Sequence, residues 1–142
     1  MNRLKVNQLS NWQSAWEQET RGRATFAYFP EIEQRLVANW YSPGYYTTQL
    51  ISRHGNIKSK LRQFNLVDSE LCHCGMEETL EHILFECPTH REQRRPLKDV
   101  VTKEGWNWPP PLKAFVLKET YLHFVKFAIN TMRQKEEVDR TN

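Results

Sequence analysis

Apolar residues recur along this chain at intervals of three and four, the spacing that lines one face of an α-helix. In the first segment Trp12 and Trp16 share such a face, and Ser10 with Gln13 reads as a capping box that opens it. Gly22 reads as its stop. Thr25 to Phe29 is short, aromatic and expected to be extended. Pro30 stands at a favoured first helical position, with Ile32, Leu36 and Trp40 after it on one side. Ser42-Pro43-Gly44 breaks the chain. A helix from Tyr45 to His54 is expected to end at Gly55. Asn56 is placed to cap the next helix, which would bury Ile57, Leu61 and Phe64 and leave Lys58, Lys60 and Arg62 outside.

Glu77 to Phe85 predicts a short helix with Leu80, Ile83 and Leu84 inward, closed by Cys87-Pro88. Thr89 with Glu92 reads as a second capping box, opening an arginine-rich helix that Pro96 is expected to interrupt. Trp106 to Pro111 makes a stiff loop. The last helix, Thr120 to Glu137, carries Tyr121, Leu122, Val125, Ile129 and Met132 at helical spacing, a stripe read as core. The fold class is therefore all-α, with no sheet larger than a hairpin. The chain divides into three stretches: an amino-terminal helical segment 1–44, basic helices plus a cysteine knuckle 45–104, and a Pro-rich hinge with a carboxy-terminal helix 105–142.

Charge changes this picture more than composition does. Apolar residues make up 39 % of the 142 positions and aromatics 12 %, enough for a thin core that a metal or a partner would help to hold. Net charge is only +3, but it is unevenly placed. Gln34 to Val67 has no acid and contains Arg35, Arg53, Lys58, Lys60 and Arg62. Asp68 to Glu86 has six acids and no Lys or Arg. Arg91, Arg94, Arg95 and Lys98 come next. Two basic blocks thus flank an acidic, cysteine-bearing one, a distribution suited to phosphate contacts. No signal peptide and no bilayer-length apolar run is present, so an intracellular protein, nuclear or cytoplasmic, with no membrane partner is expected.

The cysteines point to a metal. Their number is odd, and Cys72 and Cys74 are one residue apart, which suits a metal in a reducing compartment better than a disulfide. Zinc takes four sulfur or nitrogen ligands in a tetrahedron. Cys72 and Cys74 would supply two from a turn that Gly75 relaxes, His82 a third from the following helix, and Cys87 the fourth where Pro88 forces the chain off the helix axis. Cys87-Pro88-Thr89-His90 offers His90 as a rival fourth ligand. His82 is preferred because it faces back to the turn. Four protein ligands leave no open position, so the zinc would be structural.

At these residues the chain resembles the carboxy-terminal region of reverse transcriptases from R1/Jockey-type non-LTR retrotransposons. The resemblance rests on Thr48-Gln49-Leu50, His54-Gly55 and the leucine-bearing helix after them, and on a Cys-Cys-His-Cys knuckle. Its most specific part is Glu78-Thr79, His82, Leu84-Phe85 and Cys87-Pro88. Trp12-Gln13, Trp16, Gly22-Arg23 and Thr25 are also similar to the segment that precedes this region in the family. The resemblance implies zinc ligation by Cys72, Cys74, His82 and Cys87. It also implies a piece of a larger polyprotein, an RNA-directed DNA polymerase whose tail holds RNA or target DNA during target-primed reverse transcription.

The chain has no adjacent Asp-Asp pair and no His-Glu-x-x-His, so no catalysis is expected from it alone. Expected partners are nucleic acid, RNA or DNA, and the polymerase part of the polyprotein. Arg53, Lys58, Lys60, Arg62, Arg91, Arg94 and Arg95 are the candidate contacts. The competing expectation is a protein-interaction or self-association module, with the zinc only fixing helices.

Overall fold

The structure is a computed structural model that describes residues 3–42 and 44–141; Pro43, part of the expected chain break, lies outside the described residues. The described residues form seven α-helices: α1 (Arg3–Gln18), α2 (Arg23–Tyr28), α3 (Ile32–Val37), α4 (Tyr45–Ser52), α5 (Lys58–Gln63), α6 (Arg91–Lys103) and α7 (Tyr121–Thr141). A π-helical turn (His82–Glu86) and two 3-10 turns (Pro88–His90 and Leu112–Val116) complete the order. Among the described residues there is no strand, only an isolated antiparallel bridge between Leu71 and Glu77. The all-helical expectation therefore stands.

One apolar cluster holds the molecule together. It draws Tyr28 and Phe29 from the α2 region, Leu50 and Ile51 from α4, Leu80, Ile83 and Leu84 from the knuckle, Leu97 and Val101 from α6, and Phe124, Phe127 and Met132 from α7. Phe115 of the second 3-10 turn stacks on Phe124 with centroids 5.1 Å apart. Because α7 packs on both α4 and α6, the core spans the basic stretch and the carboxy-terminal stretch together. The α1 helix is tied on by polar contacts: Gln13 Nε2 donates to Pro30 O at 2.8 Å, and Trp16 Nε1 donates to Phe29 O at 2.7 Å.

Several local expectations are corrected. Ser10 lies inside α1, which starts at Arg3, and caps nothing. Thr25 to Tyr28 is helical rather than extended, with Phe29 following as its cap: the Phe26 and Phe29 amides donate to the Gly22 and Thr25 carbonyls at 2.9 and 3.0 Å. The α4 helix stops at Ser52, with Arg53 taking the left-handed conformation (φ 60°) expected of Gly55. Gly55 is needed for another reason. A Cβ there would sit 2.5 Å from the Gln49 side chain, so only hydrogen allows the α4–α5 corner to close.

Phe64 is 60 % exposed instead of buried. Pro96 does not interrupt α6. It sits exposed inside the helix, and burial of Leu97 and Val101 carries the helix past the one missing hydrogen bond. A 3-10 turn, not a Thr89 cap, leads into α6. The buried stripe of α7 is Tyr121, Phe124, Phe127, Ala128 and Met132, continued by Thr131 and Lys135, while Leu122 faces outward. Of the stripe expected from spacing, Tyr121 and Met132 are buried and Val125 and Ile129 half-buried, while Phe124, Phe127 and Ala128 carry its centre.

Candidate metal centre and basic surface

The knuckle is built from the turn at Cys72 upward. Gly75 N donates to Cys72 O at 2.9 Å and Cys72 N to Met76 O at 2.7 Å, closing a tight loop that Gly75 turns with φ +96°. That conformation suits glycine and brings the two thiols to the same side. Thr79 Oγ1 then accepts from His82 N at 3.0 Å, the bond of an amino-terminal helix cap.

The turn from His82 to Cys87 is not α-helical. Cys87 N donates to His82 O at 2.7 Å, a turn of five residues rather than four. In an α-helix, at about 100° per residue, positions five apart point about 140° away from each other. The wider turn brings them back to one side, and that is how His82 and Cys87 can serve one centre.

The result is compact. Cys74 Sγ lies 3.2 Å from His82 Nε2, and Cys72 Sγ lies 3.6 Å from Cys87 Sγ. The four candidate ligand atoms all lie within 4.8 Å of one another. Zinc–sulfur bonds of ~2.3 Å and zinc–nitrogen bonds of ~2.0 Å put tetrahedron edges at roughly 3.5–3.8 Å, so the set fits a tetrahedral ion. Cys72, Cys87 and His82 are buried and Cys74 is exposed. Burial, with the Cys87 and Cys74 thiols beside it, pushes the Cys72 thiol up to about 12, whereas the Met76 amide holds Cys74 below its ordinary value. A bound cation removes the burial penalty on such thiolates. The cluster could hold a metal ion.

His90, the rival ligand, is not in the cluster. It is buried, its Nδ1 has no partner, and burial together with the charges of Arg94, Lys135 and His82 pushes it down to about 4.

Of the residues that support the site, the sequence marks only Lys135, by its place on the apolar stripe of α7. Arg94 is buried at 6 % exposure, and its Nε and Nη2 donate to Leu84 O and Ile83 O at 2.7 and 2.8 Å. Those carbonyls sit at the end of the π-helical turn and would otherwise lack donors. Arg94 therefore clamps the turn that carries His82 and Cys87, and is not available as a surface contact. Glu78 is buried against Lys135 at 2.8 Å; its Oε1 also accepts from Lys58 N at 3.0 Å, covering the start of α5. Asp139 joins His73 (3.1 Å), Lys135 (3.0 Å) and Asn56 (3.1 Å). The loop between the first two cysteines is thus tied to α7 and to the start of α5.

The remaining basic residues take varied places. Arg53 pairs with Glu81, Lys58 lies 3.7 Å from Asp139, and Arg62 donates to Asn65 Oδ1 at 2.9 Å. Lys60 lies over the Phe64 ring. Arg91 and Arg95 are exposed and line one groove with Lys98 and Trp108, the Lys98 Nζ standing 5.9 Å from the Trp108 ring. Arg95 also pairs with Glu92 at 3.0 Å. No helix among the described residues is long and apolar enough to cross a membrane.

Fold and cluster together define a small helical unit organised on a Cys-Cys-His-Cys knuckle that can hold a metal ion. Over 85 residues, 58 % of the chain, it is 35 % identical to the Retrovirus-related Pol polyprotein from type-1 retrotransposable element R1 4 of Nasonia vitripennis. Over 87 residues, 61 % of the chain, it is 28 % identical to the Retrovirus-related Pol polyprotein from type-1 retrotransposable element R1 of Bradysia coprophila. The resemblance read from the sequence is borne out. The matched stretch spans 22 % of the first relative's length and 9 % of the second's. No family model matches the chain, and no solved structure does.

Proposed function

We propose that this chain is the nucleic-acid-binding, zinc-stabilised tail of an R1-type reverse-transcriptase polyprotein, itself non-catalytic, holding RNA or target DNA for target-primed reverse transcription by an attached polymerase. The observation that carries the reading is the Cys72, Cys74, His82 and Cys87 cluster inside a chain similar to two R1 Pol polyproteins. Three thiolates and one imidazole are the donor set of a closed structural zinc site. The ion's part is to fix the loop and turn; the basic side chains do the binding.

Arg91, Arg95 and Lys98 offer phosphate contacts beside the knuckle, with Trp108 as an aromatic neighbour. Lys60 and Arg62 of α5 add a second set, and Arg53 and Lys58 a third whose charges are shared with Glu81 and Asp139. Such contacts release counterions, so affinity must fall steeply with salt.

The test is a fluorescence-anisotropy titration of the zinc-loaded chain with structured RNA and single-stranded DNA at several salt concentrations. Replacing Arg91, Arg95 and Lys98 together by alanine is expected to weaken binding to all sequences alike. Removal of each phosphate-binding cation should flatten the log–log salt slope by about 0.7–0.9, with zinc content unchanged. If wild type and variant bind equally with equal slopes, these cations are only a solvated face. If the wild-type chain binds neither probe at any salt concentration, the protein-interaction reading, which the exposed Val6 and Trp12 of α1 favour, replaces this one.

A further inference from the structure

At the corner where α4 and α5 meet α7, an open cleft of about 550 Å³ is lined by Tyr45, Tyr46, Lys60, Phe64 and His54, with Met132 of α7 also in its wall. Two of these side chains are anomalous for a folded surface: Tyr45 is 73 % exposed and Phe64 is 60 % exposed. The residue spacing puts Phe64 on the core stripe of α5, yet the structure turns its ring out.

Electrostatics of the rim favour an anion. Lys60 Nζ stands 5.7 Å from the Phe64 ring centroid, and the Arg133 guanidinium 6.0 Å from that of Tyr46. His54 is exposed at the edge. The acid in the wall, Glu136, is already engaged by the Tyr46 hydroxyl at 2.8 Å and by Arg140 at 3.0 Å. The cleft thus combines projecting aromatic rings with cations next to them.

We infer that this cleft is a stacking site for unpaired nucleobases, in which Tyr45 and Phe64 offer their faces to bases while Lys60, His54 and Arg133 face the adjoining phosphates. The inference rests on the nucleic-acid reading above and adds a preference for single strands. A duplex keeps its bases stacked on one another and offers only phosphates, so it cannot use the rings. Every base has a π-face, so the rings impose no sequence preference. Tyr45 opens α4 and Phe64 follows the last residue of α5, two helices joined by a corner that Gly55 closes against Gln49.

The test compares the zinc-loaded wild-type chain with Tyr45→Ala/Phe64→Ala and with Tyr45→Leu/Phe64→Leu, using a short oligothymidylate and a DNA duplex of equal length. Both side chains project into solvent, and unchanged helicity and zinc content certify the fold. The expected result is a roughly ten-fold or greater loss of affinity for oligothymidylate in both variants, with duplex affinity and salt slope unchanged. The leucine variant separates stacking from simple apolar contact: if it binds oligothymidylate like wild type, the stacking site is overturned. Equal losses on both probes, or no loss on either, also overturn it while leaving the nucleic-acid reading in place. If wild type binds neither probe, that reading falls and the inference with it.

Discussion

At the scale of single residues, the arginine block after the last cysteine shows what spacing alone conceals. Arg91, Arg94 and Arg95 look equivalent in the sequence. On α6, however, position 94 falls three and seven residues before Leu97 and Val101, so it shares their inward face, and its guanidinium meets the Ile83 and Leu84 carbonyls. Arg94→Met should therefore destabilise the chain by about 3 kcal/mol, because it leaves buried acceptors without donors. Arg95→Ala, at an exposed position, should change stability by no more than about 0.5 kcal/mol. Urea unfolding of the two variants checks the contrast, and equal effects would mean that the clamp is not there. His90 makes a second residue-scale prediction. With its pKa pushed down to about 4, the ring stays neutral above that value and carries no charge near neutrality. Its ring-proton shifts should show no titration around the ordinary value of about 6.5 in NMR, and a midpoint there would place the ring in water.

At the scale of elements, helical spacing tells where helices lie better than which way they face. The Glu77 to Phe85 helix is legible because Leu80, Ile83 and Leu84 mark one side. Its π-helical turn is not, since nothing in residue type distinguishes a five-residue turn from a four-residue one; only the need for His82 and Cys87 to face one point hints at it. Thr25 to Phe29 misleads because aromatic residues also suit strands, and the helix there depends on packing rather than propensity. In α7 the lysine at 135 holds a usable signal, as it continues the phase of Phe124, Ala128 and Thr131. A lysine there needs a buried acid, and Glu78 supplies it. Lys135→Met alone strands that carboxylate and should cost roughly 3–5 kcal/mol. Glu78→Gln/Lys135→Met keeps an acceptor for Lys58 N and removes both charges, so it should recover much of the loss. A double-mutant cycle on thermal or urea unfolding reads the coupling, and strictly additive losses would show the pair to be energetically independent.

At the scale of the whole molecule, the knuckle is not an appendage. Its turn buries Ile83 and Leu84 in the common core, its loop reaches α7 through His73 and Asp139, and its far end is clamped by α6. Metal removal should consequently loosen more than residues 72–87. Amide exchange after chelation is expected to rise across the knuckle and also at the start of α5, where the Lys58 and Ser59 amides donate to Glu78. The candidate ligand cluster is readable in the sequence because thiols and imidazoles are rare and their order is informative. The supporting network is less so: Lys135 is marked only by its place on the α7 stripe, and Glu78, Arg94 and Asp139 look like ordinary surface charges until the fold gives them partners. Zinc stoichiometry by native mass spectrometry tests the centre most directly, on wild type, His82→Ala and His90→Ala. One zinc per chain is expected in wild type and in His90→Ala, and none in His82→Ala. Zinc kept by His82→Ala and lost by His90→Ala would contradict the assignment.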